Sequence, residues 1–412
     1  MKFPVFAPAL VLIFTLYYAE ALGKITQHPP GGNFNTVYQQ ARKSLDKREI
    51  DQAISLAGTP LEKGKAHHLA GYTLKRSGQM TPAAEHFYQA ILAYGDAGEQ
   101  KLQADVTESL AVILYHLYNY RNSIAYLQKT LHARESLGDP KVSNTHFNLG
   151  LAYHKLYAYD SAVFYLLQAA DGFKKHSKKA AQARALHELA YVQHHLEAYS
   201  EAQRYYIKVL DIALELSDTT RVAKTLNDLG YSYLEQGDLV PARAYLEKAL
   251  AWKQHMVNPE LLISTYNNLG ELQLLEGDTT AAMHYYELAA AQWRPGSANA
   301  NALEAVNHLQ EYYSSRGQVE KVAPYYQRMT HMSLKLLQQN EDMERMKMFY
   351  EGQMALRRME QRERDEKWRQ QLYLYLVSGA IVVCLTALLA IVYFRRAKKR
   401  KQGLKEIAKI IG

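Results

Sequence analysis

Apolar residues fall in blocks with the three-and-four spacing of amphipathic helices, and the blocks come in pairs that return on a fixed beat. Gly71, Ala111, Gly150, Ala190, Gly230, Gly270 and Gln310 share one column, at intervals of 40, 39, 40, 40, 40 and 40 residues. An apolar residue precedes each: Ala70, Leu110, Leu149, Leu189, Leu229, Leu269 and Leu309. Twelve positions after the marker stands a small or slim residue, Ala83, Ser123, Ala162, Ala202, Ala242, Ala282 or Val322. Four further on comes a large apolar one: Phe87, Leu127, Leu166, Tyr206, Leu246, Tyr286 or Tyr326. This pattern predicts two antiparallel helices per unit, close enough to need the small residue. A beat of this length marks stacked repeats, in which no unit buries its apolar face alone. Gly78, Gly237, Gly277 and Gly317 fall in the turn within a unit, where a left-handed backbone suits glycine. The other three units place Tyr120, Tyr159 and Tyr199 two positions later. Breaks between units recur in phase at Gly138-Asp139-Pro140, Asn258-Pro259 and Pro295-Gly296. Residues 34–60 read as a shortened helical pair with Ala41 and Ala53 as its small residues, an atypical end of the kind solenoids need.

The clearest copies are NLGLAYHKLYAYDSAVFYLLQAA, DLGYSYLEQGDLVPARAYLEKAL and NLGELQLLEGDTTAAMHYYELAA. They resemble the tetratricopeptide repeat family, whose pattern runs Leu-Gly, Tyr, Gly, Ala, aromatic, Ala. The usual unit has about 34 residues, and the longer beat resembles the long-helix subgroup that binds peptides or serves as a sensor domain. The resemblance implies an all-α fold, a right-handed α-α superhelix of about seven units of 40 residues over 64–335. In that family, first-helix positions face an inner groove. Asn144, Asn148, Asn227, Asp228, Asn267, Asn268 and Asn307 stand there, so the candidate site is a ladder of mostly amide side chains. An amide both donates and accepts, and can hold an extended peptide backbone without reading its sequence. The competing reading is that an Asn before Leu-Gly is a common feature of the repeat, capped or solvated.

The ends of the chain carry different signals. Lys2, the apolar stretch Val5 to Tyr18, and Ala19-Glu20-Ala21 have the form of a signal peptide over 1–21. An uncleaved anchor is the alternative, and either places the repeats across a membrane. Leu372 to Phe394 run 23 residues without a charge, enough to cross a bilayer core, with Trp368, Tyr373, Tyr375 and Tyr393 near the two faces. Between them, 336–371 predicts a charged helical rod, with an apolar seam of Leu336, Met343, Met346, Tyr350 and Met354. The rod is either a solvated stalk or a signalling helix that pairs in a homodimer; sustained heptads are missing. The tail 395–412 would stay in the cytoplasm, with the repeats exported, as in a bacterial inner-membrane protein. Its Arg395, Arg396, Lys398, Lys399, Arg400 and Lys401 fit an anionic lipid surface, or simply a stop-transfer anchor.

Composition narrows the field. The net charge is +8, and the tail's surplus of seven leaves +1 for the rest, so a nucleic-acid surface over the repeats is not indicated and no nucleic acid is expected as a partner. The 32 tyrosines suit a solenoid's core and grooves. One cysteine, Cys384, supports neither a disulfide framework nor a zinc site. Gly95-Asp96-Ala97-Gly98 lacks the Lys-Ser/Thr of a phosphate loop, and His187-Glu188 lacks the second histidine of a zinc protease. His67-His68 and His194-His195 are adjacent pairs, which point about 100° apart on a helix. No nucleophile, base and orienter assemble. No catalytic residue, metal or cofactor is therefore assigned. The expected partners are a protein or peptide in the groove, membrane lipid, and a second copy through the rod.

The whole arrangement resembles the sensory half of bacterial sensor kinases and membrane-bound regulators. No histidine follows the apolar run to act as phosphoacceptor. The expectation is a non-enzymatic binding or sensor module; the alternatives are a static envelope scaffold and a truncated relative of such a kinase or regulator. Single cysteines in place of Met343, Met346 or Tyr350 should give symmetric crosslinks if the rod pairs; their absence would reject the dimer.

Overall fold

The computed structural model describes residues 33–294 and 299–318, isolated positions from 321 to 338, and residues 363–374 with 377. The chain divides into two units, Met1–Lys347 and Met348–Gly412. Within the first, described residues form helices in pairs, beginning with α1 (Phe34–Ser44) and α2 (Lys47–Leu56). Then follow α3 (Pro60–Arg76) with α4 (Met80–Asp96), and α5 (Gln100–His116) with α6 (Tyr120–Ser136). Next are α7 (Val142–Lys155) with α8 (Tyr159–Lys175), and α9 (Lys179–His195) with α10 (Tyr199–Glu215). The series continues with α11 (Thr219–Gln236) and α12 (Leu239–Lys253), then α13 (Ile263–Leu275) and α14 (Thr279–Ala291), and reaches α15 (Ala300–Ser315). A 3-10 turn, Pro259–Leu262, interrupts it between α12 and α13. Each helix packs on the next along the chain, both within and between pairs.

The marker column is the point of closest approach. A Cβ built on Gly150 would lie 2.6 Å from Leu166 Cγ, and one on Gly230 would lie 2.8 Å from Leu246 Cγ and 3.1 Å from its backbone nitrogen. Gly71 faces Phe87 and Gly270 faces Tyr286 in the same way. The small residues Ala83, Ser123, Ala162, Ala202, Ala242 and Ala282 are fully buried. Ser123, the polar exception, donates its hydroxyl to the Ala111 carbonyl at 2.7 Å. Burying a leucine of the Leu166 or Leu246 kind stabilises by about 2 kcal/mol. The first full pair starts on a capping box: Thr59 Oγ1 accepts from Glu62 N at 3.2 Å, and Glu62 Oε2 accepts from Thr59 N at 3.0 Å.

Gly78, Gly237, Gly277 and Gly317 adopt the positive φ expected of them, between 69° and 88°. In the three units without that glycine the same register position is still left-handed, at Tyr118 (φ 56°), Tyr157 (58°) and Glu197 (58°). The tyrosines two positions later open the second helix instead. Tyr118 packs edge-on to Tyr120 at 6.0 Å and Tyr157 to Tyr159 at 6.2 Å, an aromatic contact that offsets part of the backbone strain.

Residues 363–374 are helical, with Lys367 paired to Glu363 at 2.7 Å. The signal segment 1–21, the second helix of the seventh unit with Val322 and Tyr326, most of the rod 336–371, nearly all of the apolar run 372–394, and the basic tail lie outside the described residues. Among the described residues no helix is long and apolar enough to cross a membrane. Gly230→Val should destabilise the helical body within Met1–Lys347 by about 2 kcal/mol through overpacking against Leu246. Thermal unfolding of the full chain measures this, and an unchanged midpoint would contradict the close approach.

Candidate functional site

The fixed register brings first-helix polar residues of successive units alongside one another. Asn144 and Asn148 of α7 line a cleft of about 260 Å³ with Glu108 of α5, Arg184 of α9, Phe147 and Phe173. Arg184 is exposed, and its guanidinium lies 4.9 Å from the centre of the Phe147 ring, so the cleft has a cationic lip over an aromatic wall. Asn148 donates to Glu108 Oε1 at 3.2 Å. On α11 and α13, Asn227 Oδ1 accepts from Thr265 Oγ1 at 2.7 Å and from Asn268 Nδ2 at 3.4 Å. Asn227 also donates to Asp228 Oδ1 at 3.3 Å. Asn267 turns the other way, donating to the Asn301 carbonyl at 2.8 Å and to Glu304 at 3.1 Å. Asn307 is exposed on α15. The amides are thus brought together in two groups, and most are bonded to neighbouring units. The six basic residues of the tail lie outside the described residues.

Beneath this face run two buried cations that sequence reading missed. Arg134 is 1 % exposed and lies 23 positions after its marker; Lys253, 6 % exposed, occupies the same register three units later. The equivalent residues Tyr94, Phe173 and Ala213 are buried and uncharged. Arg134 donates to Asp105 Oδ1 at 2.8 Å and to Thr145 Oγ1 at 2.8 Å, pairs with Glu108 Oε2 at 2.9 Å, and lies 3.7 Å from Asp139 Oδ2. Lys253 donates to Thr265 Oγ1 at 2.7 Å and to Ser264 Oγ at 3.2 Å. Thr145 and Thr265 are equivalent, and each passes its own proton to the previous unit, to Glu108 Oε1 at 3.1 Å or to Asn227 Oδ1. Asn148 and Asn268 are equivalent too. The two networks are one design in two charge states. The signal that could have found them is a cation in a column whose other members, Tyr94, Phe173, Ala213, Trp293 and Ser333, are uncharged.

Lys253 has no ion pair among the described residues, and burial pulls its amine down to about 8, with Lys224 lowering it further and Asp228 partly opposing. Burial also works against the charged form of Asp228, but the His187 hydrogen bond at 2.8 Å, the Asn227 amide and the Lys224 charge outweigh it and hold the carboxyl below its usual range.

Several histidines are packed among tyrosine rings. His154 lies 5.3 Å from Tyr191 and 5.5 Å from His195, and Tyr191 lies 4.5 Å from His195. Burial lowers His154 to about 4, so this cluster is neutral imidazole and phenol at ordinary pH. Among the described residues no group of histidines and acids has the arrangement of a metal site.

A buried charge without a counter-ion destabilises, whereas breaking a satisfied buried pair leaves its partners orphaned. Arg134→Met should therefore lower stability by about 3 kcal/mol or more. Lys253→Met should raise it by about 2 kcal/mol at pH 7. Because the folded amine binds its proton less tightly than the unfolded one, the native chain gains stability as pH rises through about 8 toward the ordinary lysine range. The advantage of Lys253→Met should shrink over that window. Denaturation of both variants at pH 7 and pH 10 checks the two signs; an advantage that does not shrink would refute the depressed amine.

Residues 181–254 and 263–291 each match a tetratricopeptide repeat family profile. Sequence comparison with curated proteins gives no match. Among solved structures, the apo form of RapI is 17 % identical, with a TM-score of 0.56 over 74 % of this chain and 84 % of that one. The apo quorum sensor NprR from B. thuringiensis is 14 % identical, with a TM-score of 0.56 over 79 % and 96 %. A signal transduction ATPase with a tetratricopeptide repeat sensor, from Pyrococcus horikoshii, is 16 % identical, with a TM-score of 0.52 over 71 % of this chain and 44 % of that one. The chain therefore carries tetratricopeptide repeats, matched over 181–254 and 263–291 and set in a longer series of helical pairs from Phe34 to Ser315.

Proposed function

We propose that this protein is a membrane-anchored, exported binding module that captures a protein or peptide on its first-helix face and has no catalysis of its own. The observation that carries this reading is the cleft at Glu108, Asn144, Asn148 and Arg184, where amide, acid and guanidinium groups converge beside the Phe147 and Phe173 rings. Such a lining combines apolar contact with donors and acceptors for a peptide backbone. The quorum sensor NprR and the tetratricopeptide repeat sensor of the signal transduction ATPase share this fold, which supports capture with a signalling consequence. The apolar stretch after Lys2, the uncharged run Leu372 to Phe394 and the basic cluster from Arg395 support export of the repeats and an inner-membrane anchor. Binding energy would then bias the rod and the span, and the tail would meet membrane lipid or a partner protein.

The test is affinity capture with the full chain, followed by identification of the retained protein, repeated with Arg184→Glu and Asn148→Asp together. Loss of at least ten-fold of the same retained protein, with helical content unchanged, is the expected result. Retention at an unchanged level would reject the cleft as the capture site.

A further inference from the structure

The two buried-cation networks differ in one respect that points to a ligand. Around Arg134 the chain supplies three carboxylates, from Asp105 and Glu108 on α5 and from Asp139 in the following turn. At the equivalent positions around Lys253 stand Lys224, Asn227 and Asn258. The match is structural as well as numerical: Asp139 Oδ1 accepts from Lys141 N at 3.0 Å, and Asn258 Oδ1 accepts from Glu260 N at 3.1 Å, two residues on in each case. Every acid that neutralises the first cation is therefore replaced by an amide or by a second cation. Asp228 acts on Lys253 only from beyond ion-pair distance, and its oxygens are bonded to His187 and Asn227.

We propose that the rim formed by Lys224, Lys253, Ser264 and Asn268 receives a carboxylate of the captured peptide or protein, which supplies the negative charge that Asp105 and Glu108 supply around Arg134. This rests on the capture reading and names the chemistry that the face selects. Access follows from the first network, where the acids approach from the rim: the Asp105 and Glu108 side chains are 25 % and 14 % exposed while Arg134 is 1 % exposed. Ser264, half-buried, lies 3.2 Å from the buried amine, and the exposed Lys224 is near enough for its charge to act on it. The hydroxyls of Ser264 and Thr265 hold Lys253 in place, and a carboxylate would complete its charge pairing. A buried amine that is destabilising when unpaired is a local conflict, and such conflicts mark functional positions.

The experiment is calorimetric titration of the full chain with three probes: acetyl-Ala-Glu-Ala-amide, acetyl-Ala-Gln-Ala-amide, and acetyl-Ala-Gln-Ala with a free C-terminus. At least one carboxylate probe should bind ten-fold or more tightly than the uncharged peptide. The first probe reports an acidic side chain as the source, the third a chain terminus. Lys253→Met, which should fold at least as well as the native chain, must erase the preference. Lys224→Ser, at an exposed position, must weaken it at least three-fold. Absence of binding by both carboxylate probes, or a preference that survives Lys253→Met, overturns the proposal. Equal binding of all three probes, lost in Arg184→Glu, rejects the carboxylate site while leaving capture itself standing.

Discussion

The structure depends on one contact, repeated: at Gly71, Gly150, Gly230 and Gly270 the backbone of the first helix lies against a bulky side chain of its second helix. Gly150 on Leu166 and Gly230 on Leu246 leave no room for a Cβ without displacement. That approach fixes the axial register of each pair, and the packing of each second helix on the next first helix carries the register into the following unit. Neither half of the arrangement buries its apolar face alone. Because the register is fixed, residues one beat apart become neighbours. Asn148 meets Glu108 across 40 positions of sequence, and Asn268 meets Asn227 across 41.

The same register explains the buried cations. A side chain 23 positions past the marker is directed into the seam between its own unit and the next, where Tyr94 and Phe173 fill space and Arg134 and Lys253 must find partners. Arg134 joins α5, α6, the following turn and α7 through one guanidinium, whose fork suits several oxygens at once. Lys253 reaches only two hydroxyls, both near the start of α13. Arg134 therefore ties its seam to α5 and α7 directly, whereas Lys253 reaches only forward to α13, and there it is Thr265 and Asn268 that reach back to Asn227 on α11.

The sequence made the helical pairs, the marker glycines and the small-residue column legible, because each rests on a spacing that a single helix cannot satisfy otherwise. The left-handed turns were legible where glycine holds them. They were hidden at Tyr118, Tyr157 and Glu197, exposed residues where the hydrogen bonds that close the first helix, such as Asn119 N to Leu114 O and Ala158 N to Tyr153 O, hold a φ that propensity disfavours. The amide columns could be read as polar positions, but not their directions: Asn227 and Asn267 stand in equivalent positions, yet one accepts from the following helix and the other donates to it. The cations escaped because they belong to second helices, and a lone Arg or Lys there reads as solvated surface. Only the alignment of units, column by column, exposes them.

The placement of Lys253 also bears on how capture could act at a distance. The regular series is interrupted between α12 and α13 by the Pro259–Leu262 turn, and Lys253 is the last residue of α12. A carboxylate held between Lys253 on α12, Lys224 on α11 and Ser264 on α13 would add a charged tie across that interruption to the hydrogen bonds that Thr265 and Asn268 make to Asn227, as Asp105 and Glu108 do within the Arg134 network. Its binding energy would fall on the relation between two halves of the helical series rather than on one helix. A ligand shifts an equilibrium only by its differential affinity for two states, so any such bias would come from a carboxylate that pairs with Lys253 and Lys224 more strongly in one relation of α11, α12 and α13 than in another.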